Sequence, residues 1–306
     1  MKKKILIVGG TGFIGYALSK KCITLGWNVF SLSSKKVKSS RKLDKVTYLY
    51  CDVSKKKKLI KILRNRKFDY VFNLGGYVDH SKNVKTYESH YIGCKNLVEV
   101  FKKQSSLKRF IQMGSSLEYG NKKSPHNENM KFDPNNLKSI YSKSKLLATN
   151  FLLKKNKDEN FPVTIFRLYL TYGPGQDFNR LIPIVIKNCL KDIKFPTSRG
   201  DQLRDFIYID DVVKILIRST TKKNVNGQIF NLGSGSPILI KKIINKIVKL
   251  IKKGEPDFGK IKLRSDEQIK IYPNIKKLKK IFAINRFIDI SKGLKKTIRY
   301  YQKNEK

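Results

Sequence analysis

The chain has 306 residues, 40% of them apolar, which is enough to bury one large core together with a smaller lobe or second domain. Its 67 Lys and Arg against 23 Asp and Glu give a formal net charge of +44, a balance often found in proteins that bind nucleic acid or anionic membranes. The lysines are spread over nearly every predicted helix and form no arginine-rich stripe, so we expect solvated basic faces and no specific nucleic acid, with a polyanion-binding surface as the open alternative.

Targeting and redox signals are also absent from the sequence. The apolar run that follows Met1–Lys4 breaks at Gly9 with no small-residue cleavage site, and no stretch approaches the roughly 18 apolar residues of a membrane helix. The four cysteines show no metal-binding or Cys-x-x-Cys spacing. We therefore expect a soluble, cytoplasmic protein with reduced core cysteines, no metal and no membrane partner.

The first predicted unit is a strand, a glycine turn and a helix. Ile5–Val8 is a short β-branched run typical of a buried parallel strand, and it passes into GGTGFIG at 9–15 and a helical pattern. Gly9, Gly12 and Gly15 permit a tight turn, close approach of a diphosphate to backbone N–H groups and packing of the helix on the strand. The unit predicts a dinucleotide site, although a glycine turn alone is weak evidence.

The second predicted strand, Trp27–Leu32, bears on the choice of cofactor. It ends at Ser33, Ser34 and Lys35, where a dinucleotide fold meets the adenosine ribose, and no acidic residue stands there to bind a 2′-hydroxyl. The strand end therefore favours NADP(H). NAD(H) stays open, because a chain this rich in lysine would show lysines here regardless.

Three further strands end at small or acidic residues. Val46–Tyr50 is followed by Asp52, which we expect to meet the adenine amino group, Tyr70–Leu74 leads into Gly75-Gly76, and Arg109–Met113 leads into Gly114-Ser115-Ser116. The intervening helices are predicted over 55–66, 84–103 and 139–155, and the later elements are strands over 163–168 and 228–232 and helices over 181–190, 210–219, 239–251 and 291–301.

This alternation of strands and long helices predicts an α/β fold, a doubly wound parallel sheet of the Rossmann type with a smaller, mostly helical carboxyl-terminal lobe. We expect a dinucleotide-binding domain over 1–170, joined again by about 204–234. The substrate-binding lobe is expected to comprise 171–203 and 235–306.

Tyr141 and Lys145 are the candidate chemical groups. They stand four residues apart, on one face of a predicted helix. A phenol has a pKa near 10, and a neighbouring ammonium and an oxidised nicotinamide both favour the phenolate, which brings that pKa towards neutrality. Ser115, at a strand end, is placed to hold a substrate oxygen. The pair alone is also an ordinary exposed helix pair, but its combination with the glycine turn indicates catalysis.

At this point the chain resembles the extended short-chain dehydrogenase/reductases, specifically their nucleotide-sugar epimerases, dehydratases and 4-ketoreductases. The matching segments run nearly end to end: GGTGFIG at 9–15, CDV at 51–53, NLGG at 73–76, GSSLEYG at 114–120, SPHNE at 124–128, YSKSK at 141–145, RLYLTYGPGQ at 167–176 and RDFIYIDDV at 204–212.

The resemblance implies a catalytic triad of Ser115, Tyr141 and Lys145, with Tyr141 as acid and base. Ser115 takes the role over its neighbour Ser116 because it precedes Tyr119 by four residues, as in the family pattern. The implied cofactor-binding residues are Gly9, Gly12, Phe13, Ile14, Gly15, Ser33, Ser34, Lys35, Asp52, Val53, Leu74, Gly75, Gly76, Tyr141, Lys145 and Leu168.

The chain departs from the family pattern after the hydroxyl residue Ser115, at residue 170 and at residue 90. Family dehydratases carry Asp-Glu after the hydroxyl residue, whereas Ser116 and Leu117 stand here, so we expect no 4,6-dehydratase activity. Leu170 stands where an Asn often follows Arg167, and His90 where an Asn is usual. For His90, a packed helix residue is favoured over a substrate or cofactor contact.

Substrate contacts are expected from Ser115 and Ser116 and from three arginines of the second lobe. A guanidinium offers two parallel hydrogen bonds to phosphate oxygens, which suits a nucleotide diphosphate. Arg204, in the RDF motif, is the most specific candidate, and Arg180 and Arg264 are the others. Each of the three has an ordinary surface ion pair as its alternative.

The reaction implied is hydride transfer at C4 of a nucleotide-diphosphate sugar. Reduction of a 4-keto-6-deoxy sugar by NADPH is favoured by Ser33, Ser34 and Lys35 and by a likeness of the second half to 3,6-dideoxyhexose synthases. A 4-epimerase with retained NAD is the alternative, and a non-catalytic dinucleotide- or RNA-binding protein is a remote one. Family members often form homodimers through helices equivalent to 83–103 and 139–155, and we expect a homodimer here.

Overall fold

The computed structural model describes residues 2–77, 82–263 and 267–304. These residues form two compact units. The first comprises residues up to 120, 131–167 and 213–230, and the second comprises 121–130, 168–212 and 231 onwards. Residues 121–130, 168–170, 204–212 and 231–234 thus group with the second unit, whereas the sequence places them in the dinucleotide-binding domain.

The strands and helices alternate through the first half of the chain, as predicted. The strands are β1 (Lys4–Val8), β2 (Asn28–Ser33), β3 (Val46–Tyr50), β4 (Tyr70–Asn73), β5 (Arg109–Ser115), β6 (Val163–Leu168), β7 (Leu170–Tyr172), β8 (Lys194–Thr197), β9 (Leu203–Tyr208), β10 (Gln228–Leu232), β11 (Pro237–Leu239), β12 (Glu255–Phe258) and β13 (Lys270–Ile271). The helices are α1 (Phe13–Thr24), α2 (Lys56–Leu63), α3 (Asn83–Tyr87), α4 (Gly93–Phe101), α5 (Ile140–Glu159), α6 (Leu181–Leu190), α7 (Ile209–Thr221), α8 (Ile240–Ile251), α9 (Lys276–Phe282) and α10 (Ile290–Asn304).

The first unit is built on a seven-stranded sheet in the order β3-β2-β1-β4-β5-β6-β10. Neighbouring strands from β3 through β2, β1 and β4 to β5 pair in parallel. A parallel sheet is covered on both faces, which explains why β1, β4 and β5 are almost entirely buried. The strand order reverses between β1 and β4, the place where such sheets bind ligands at their carboxyl edge. The predicted fold class is confirmed.

One predicted helix contains a π-helical turn. The stretch 84–103 was expected as a single amphipathic helix, but α3 and α4 are separated by a π-helical turn over Glu88–Ile92. The helix packs closely at this point, since a Cβ at Gly93 would lie 2.4 Å from Cγ2 of Val53. The regular spacing of apolar residues predicts an ordinary helix and gives no sign of the wider turn, which shifts the phase of the residues that follow it.

The second unit contains more strands than predicted. β9 lies between β11 and β13 and also pairs with β7, while β12 pairs with β8 in a separate two-stranded sheet. Helices α6, α8 and α10 pack on one another. α8 buries the apolar stripe Ile240, Ile243, Ile244 and Ile247. The expectation of a mostly helical lobe therefore misses the short strands, whose pairing is decided by partners distant in sequence.

Two sequence-based expectations concern the core and the membrane. Cys22, Cys51, Cys94 and Cys189 are all free and buried, as expected of small core residues. Within 2–77, 82–263 and 267–304, no helix combines the length and the apolar character that crossing a membrane requires.

Candidate active site

The glycine turn lies between β1 and α1 at the carboxyl edge of the sheet. Gly9 adopts a φ of +78°, and its N–H donates to the Leu32 carbonyl at 2.7 Å. A Cβ at Gly15 would lie 2.2 Å from the Gly9 carbonyl oxygen, so the start of the helix fits against the turn only with glycine there. α1 begins after Gly12 without a side-chain cap or an acidic residue in its first turn. Its first N–H groups and positive dipole end therefore suit a phosphate.

The end of β4 packs directly against this turn. The Leu74 N–H donates to the Val8 carbonyl at 3.0 Å, and a Cβ at Gly9 would lie 2.7 Å from the Cα of Gly75. The structure thus brings the predicted residues Leu74 and Gly75 beside the glycine turn, at the point where the strand order reverses. Gly76 follows in an exposed position.

The end of β2 carries the small polar and basic residues predicted near the adenosine ribose. Ser34 and Lys35 are exposed, and the Ser33 hydroxyl donates to the Lys35 carbonyl at 2.9 Å. After β3, exposed Asp52 accepts the Ser54 N–H at 2.9 Å, and Asn96 holds the Val53 carbonyl at 2.9 Å. Asp52 and Val53 thus sit in a turn that α4 fixes in place.

Sequence reasoning missed a cation in this region. Arg41 Nη1 donates to the Thr11 carbonyl at 3.2 Å, which places the guanidinium against the glycine turn from a segment 30 residues further along the chain. The only sequence signal is an arginine in the loop after β2. In a chain with so many basic residues, that signal does not single out Arg41.

Helix α5 presents Tyr141 and Lys145 on one face, as the spacing predicts. Lys145 Nζ lies 5.8 Å from the centre of the Tyr141 ring and donates to the Met113 carbonyl of β5 at 2.8 Å. Lys145 is 5% exposed. Burial lowers the pKa of Lys145 to about 8, while Glu118 and the Cys94 thiol act in the opposite direction.

Ser115 lies at the end of β5, two positions after the carbonyl that Lys145 contacts. It is buried, and its hydroxyl oxygen accepts the Leu117 N–H at 3.2 Å at the start of a 3₁₀ turn over Ser116–Tyr119. Ser116 is also buried, in the first position of that turn. The structure therefore gathers the three residues of the predicted triad in one unit, and the choice of Ser115 over Ser116 stays a prediction.

Glu118 is a second residue that sequence reasoning missed. Its side chain is 0% exposed and pairs with Arg167 of β6, with Nε and Oε2 2.9 Å apart. A carboxylate in the otherwise small and apolar segment GSSLEYG could have been noticed, because acidic side chains are almost never fully buried without a partner.

His90, in the π-helical turn, packs against Tyr141. Its ring meets the Tyr141 ring edge to face, with centroids 5.1 Å apart, and Nε2 lies 3.2 Å from the Tyr77 carbonyl oxygen. The ring fills the space beside Gly76, where a Cβ would lie 1.8 Å from His90 Cε1. His90 is thus a packed residue, as favoured from the sequence, and one that contacts the site.

The second unit carries two of the predicted substrate arginines. Arg180 is exposed immediately before α6. Arg204 is buried, and its terminal nitrogens donate to the Glu267 carboxylate and to the carbonyls of Leu203, Gln268 and Ile269. Leu168 ends β6, and Arg264 lies outside the described residues. The role of each of these residues stays a prediction.

The model of the NAD-dependent epimerase/dehydratase family matches residues 5–233, which include the glycine turn, Ser115, Tyr141 and Lys145. The chain belongs to this family.

Relatives and solved structures are in keeping with that membership. The chain is 26% identical, over 100% of its length and 99% of the relative's, to a UDP-N-acetyl-α-D-glucosaminuronate decarboxylase of Bacillus cytotoxicus. It is also 26% identical to a putative UDP-glucose 4-epimerase of Methanocaldococcus jannaschii, over 99% of both chains.

The fold is shared with solved members of the family. An epimerase from Methanothermobacter thermautotrophicus superposes with a TM-score of 0.91 at 20% identity, over 99% of this chain and 93% of the other. UDP-glucose 4-epimerase from Thermotoga maritima, solved with UDP-glucose, gives 0.86 at 21% identity, over 99% and 100% of the two chains. At these identities, the likeness establishes the fold.

Proposed function

We propose that this family member is an NAD(P)-dependent enzyme that transfers hydride at C4 of a nucleotide-diphosphate sugar. The observation that carries the proposal is the placement of Tyr141 and Lys145 on one face of α5, with Lys145 bound to the strand that ends at Ser115. Relatives named as 4-epimerases and decarboxylases of UDP-sugars support the substrate class.

The first unit fits a nicotinamide dinucleotide. The glycine turn packs so closely that a Cβ at Gly9 would meet the Cα of Gly75 and a Cβ at Gly15 would meet the Gly9 carbonyl, and the uncapped start of α1 beside it leaves N–H groups for a diphosphate. Gly9, Gly12, Gly15 and Gly75 would hold the diphosphate and ribose. When bound, the nicotinamide supplies or accepts the hydride.

The three catalytic residues move the proton and hold the sugar. Tyr141 gives its phenolic proton to the C4 oxygen when a ketone is reduced, and takes it back when an alcohol is oxidised. Lys145, charged below about pH 8, stabilises the phenolate that this exchange creates. Ser115 positions the same oxygen by a hydrogen bond, so that the proton moves over a short distance.

We further propose that the adenosine site prefers NADP(H). Lys35 at the end of β2 and Arg41 against the glycine turn supply two cations, and Ser33 and Ser34 provide small hydroxyl donors, where NAD-binding members of this fold use an acidic residue. Solved neighbours from Bacillus anthracis and Thermus thermophilus were determined with NAD, so the preference must be tested on this chain.

Replacing Arg41 by glutamine tests this preference. A charge-assisted hydrogen bond to phosphate contributes about 1.5–3 kcal/mol, so R41Q is expected to weaken NADPH binding by roughly 10- to 100-fold and to change NADH binding little. Binding is measured by titration of cofactor fluorescence. K42Q removes the same charge from the exposed neighbouring residue and should leave both affinities unchanged. Equal weakening of NADH and NADPH by R41Q would contradict a role for Arg41 at the 2′-phosphate.

Reduction and epimerisation are the two candidate reactions. A reductase delivers one hydride to a nucleotide 4-keto-6-deoxy sugar, and the basic end of β2 favours it because NADPH is the usual reductant of such a step. A 4-epimerase removes hydride from C4 and returns it to the opposite face, and the UDP-glucose and UDP-glucuronate 4-epimerases among the relatives favour it. We propose the reductase first and the epimerase as the alternative.

Consumption of cofactor separates the two reactions. The protein is mixed anaerobically with NADPH and nucleotide 4-keto-6-deoxy sugars, and absorbance at the nicotinamide band is followed. A reductase consumes one NADPH per sugar, whereas an epimerase interconverts UDP-glucose and UDP-galactose without net change in cofactor. Flat absorbance with every 4-keto sugar would rule out the reductase.

The second unit is proposed to bind the nucleotide diphosphate. Arg180 is exposed and presents a charge at the start of α6. Arg204 is already held by Glu267 and three carbonyls, so it would bind a phosphate only if Glu267 gave way. Arg180 is therefore the more accessible of the two. The proposed homodimer would use α3, α4 and α5, and Val84 of α3 is 70% exposed.

A further inference from the structure

Glu118 makes three hydrogen bonds to three different elements beneath the candidate active site. Its Oε1 accepts the Ser115 N–H at 2.8 Å, and its Oε2 accepts the Thr149 hydroxyl and Arg167 Nε, each at 2.9 Å. Ser115 ends β5, Thr149 lies on α5 and Arg167 lies on β6. A buried carboxylate that satisfies three donors at once holds them at fixed spacing, because each bond is costly to break in a dry interior.

These three elements are the ones that must stay in register for the proposed chemistry. Thr149 stands one helical turn beyond Lys145, which itself stands one turn beyond Tyr141, so a tie at Thr149 sets the position of α5 along its axis. The same carboxylate fixes the backbone of Ser115. Glu118 therefore connects Ser115, at the end of β5, to the helix that carries Tyr141 and Lys145.

The Glu118 carboxylate packs tightly against its neighbours. A Cβ at Gly114 would lie 2.4 Å from Glu118 Oε1, so the carboxylate packs against bare backbone. The Arg167 guanidinium also covers the Tyr119 ring, 4.4 Å from its centre. Glu118 is thus enclosed by its partners, which explains how a charge with 0% side-chain exposure is tolerated.

Among the described residues, Glu118 is a carboxylate whose charge acts on Lys145. Cys94 of α4 and Glu118 act on Lys145, and Glu118 is itself paired with Arg167 of β6. Lys145 Nζ also lies near the Tyr141 ring, on which His90 packs. Burial disfavours the ammonium of Lys145, and Glu118 opposes that effect more than Cys94 does.

We propose that Glu118 is a positioning residue: its carboxylate holds the Ser115 turn, helix α5 and Arg167 in register and places a negative charge beside Lys145, whose Nζ is bound to the Met113 carbonyl two residues before Ser115. The kinetic part of this inference rests on the proposed function; the effect on Lys145 does not. A carboxylate that served stability alone would leave the titration of Lys145 and the pH profile of the enzyme unchanged.

The test compares E118Q with T149V in the full chain. Lysine enriched with ¹³C at Cε is incorporated, the Lys145 resonance is assigned by its loss in K145M, and its shift is followed against pH without ligand. E118Q keeps the size of the side chain and removes the charge, so the apparent pKa of Lys145 is expected to fall by about one unit. T149V removes only the tie to α5 and should leave this titration unchanged. E99Q removes an exposed carboxylate from α4 and is the matched control for charge.

Turnover is measured on the same variants. We expect kcat to fall by roughly 10- to 100-fold in both E118Q and T149V and KM for the sugar to change by less than about threefold. In E118Q, but not in T149V, the pKa that governs the alkaline limb of the kcat–pH profile should fall by about as much as the pKa of Lys145 does.

The outcomes are distinguishable. Unchanged titration of Lys145 in E118Q, with Trp27 fluorescence showing a folded protein, would overturn the proposal. A lowered Lys145 pKa in a protein with no C4 activity would support the charge role of Glu118 and refute the proposed function. Wild-type kcat in T149V would overturn the positioning role.

Discussion

Replacing Tyr141 by phenylalanine is expected to reduce kcat by about 10²- to 10⁴-fold, the usual contribution of a positioned general acid or base. The phenyl ring keeps the edge-to-face packing on His90, so the fold of α5 and the π-helical turn should be preserved. The hydroxyl alone is lost. Turnover is measured with the nucleotide sugar identified by the cofactor assay, and cofactor affinity by fluorescence titration.

Cofactor affinity in Y141F should stay within about twofold of wild type, since the glycine turn and the end of β4 carry the proposed diphosphate and ribose contacts. Tyr91 offers a matched control. It lies next to His90 in the π-helical turn, packs edge to face on Tyr87, and has no proposed part in proton transfer. Y91F is expected to retain full activity. Activity of Y141F equal to wild type would refute the mechanism and favour a protein that binds dinucleotide without using Tyr141.

The parts of the site that are local in sequence were predictable. The glycine turn, the small residues after β4 and β5, and the Tyr141–Lys145 pair each occupy a few consecutive residues or one helical turn. The strand over Val46–Tyr50, predicted from its alternation, and the helix over Leu181–Leu190 have the predicted bounds.

The contacts that organise the site were not predictable from pattern. Arg41 reaches Thr11, and Glu118 reaches Arg167 49 residues further along the chain, so no periodicity relates the partners. The short strands of the second unit were missed for the same reason. Leu203 of β9 pairs with Leu239 on one side and Lys270 on the other, and two or three residues on each partner strand give too little alternation to identify.

The π-helical turn illustrates a different limit. At this turn Gly93 packs against Val53 and the His90 ring fits beside Gly76, and both are contacts between segments distant in sequence. Sequence reasoning favoured a packed His90, which the structure supports. It did not predict that the packing partner would be Tyr141, because the π-helical turn changes the helix phase between α3 and α4.

Removing the positive partner of Glu118 should have the largest effect on stability. In R167M the buried carboxylate keeps the Ser115 and Thr149 donors but loses the guanidinium, and breaking one side of a buried ion pair typically costs about 3–5 kcal/mol. Methionine fills part of the volume beside Tyr119, so the loss reflects charge more than a cavity. Trp27, the only tryptophan of the chain, lies in the first unit with Glu118 and Arg167, and its fluorescence during urea unfolding reports the free energy of unfolding of that unit.

An exposed ion pair with a similar N–O distance serves as the control for the buried one. Lys102 Nζ and Glu99 Oε1 are 3.0 Å apart, but both side chains are about one-third exposed, and such a pair contributes about 0–1 kcal/mol. K102M should therefore lower the free energy of unfolding far less than R167M does. In the double variant E118Q/R167M both charges of the ion pair are removed together, so it should be more stable than R167M alone, which leaves the Glu118 carboxylate without its guanidinium. Two results would contradict this: R167M lowering the free energy of unfolding no more than K102M does, or the double variant being the least stable of the set. Either would mean that the buried carboxylate of Glu118 does not need Arg167, and that packing fixes the geometry around Ser115.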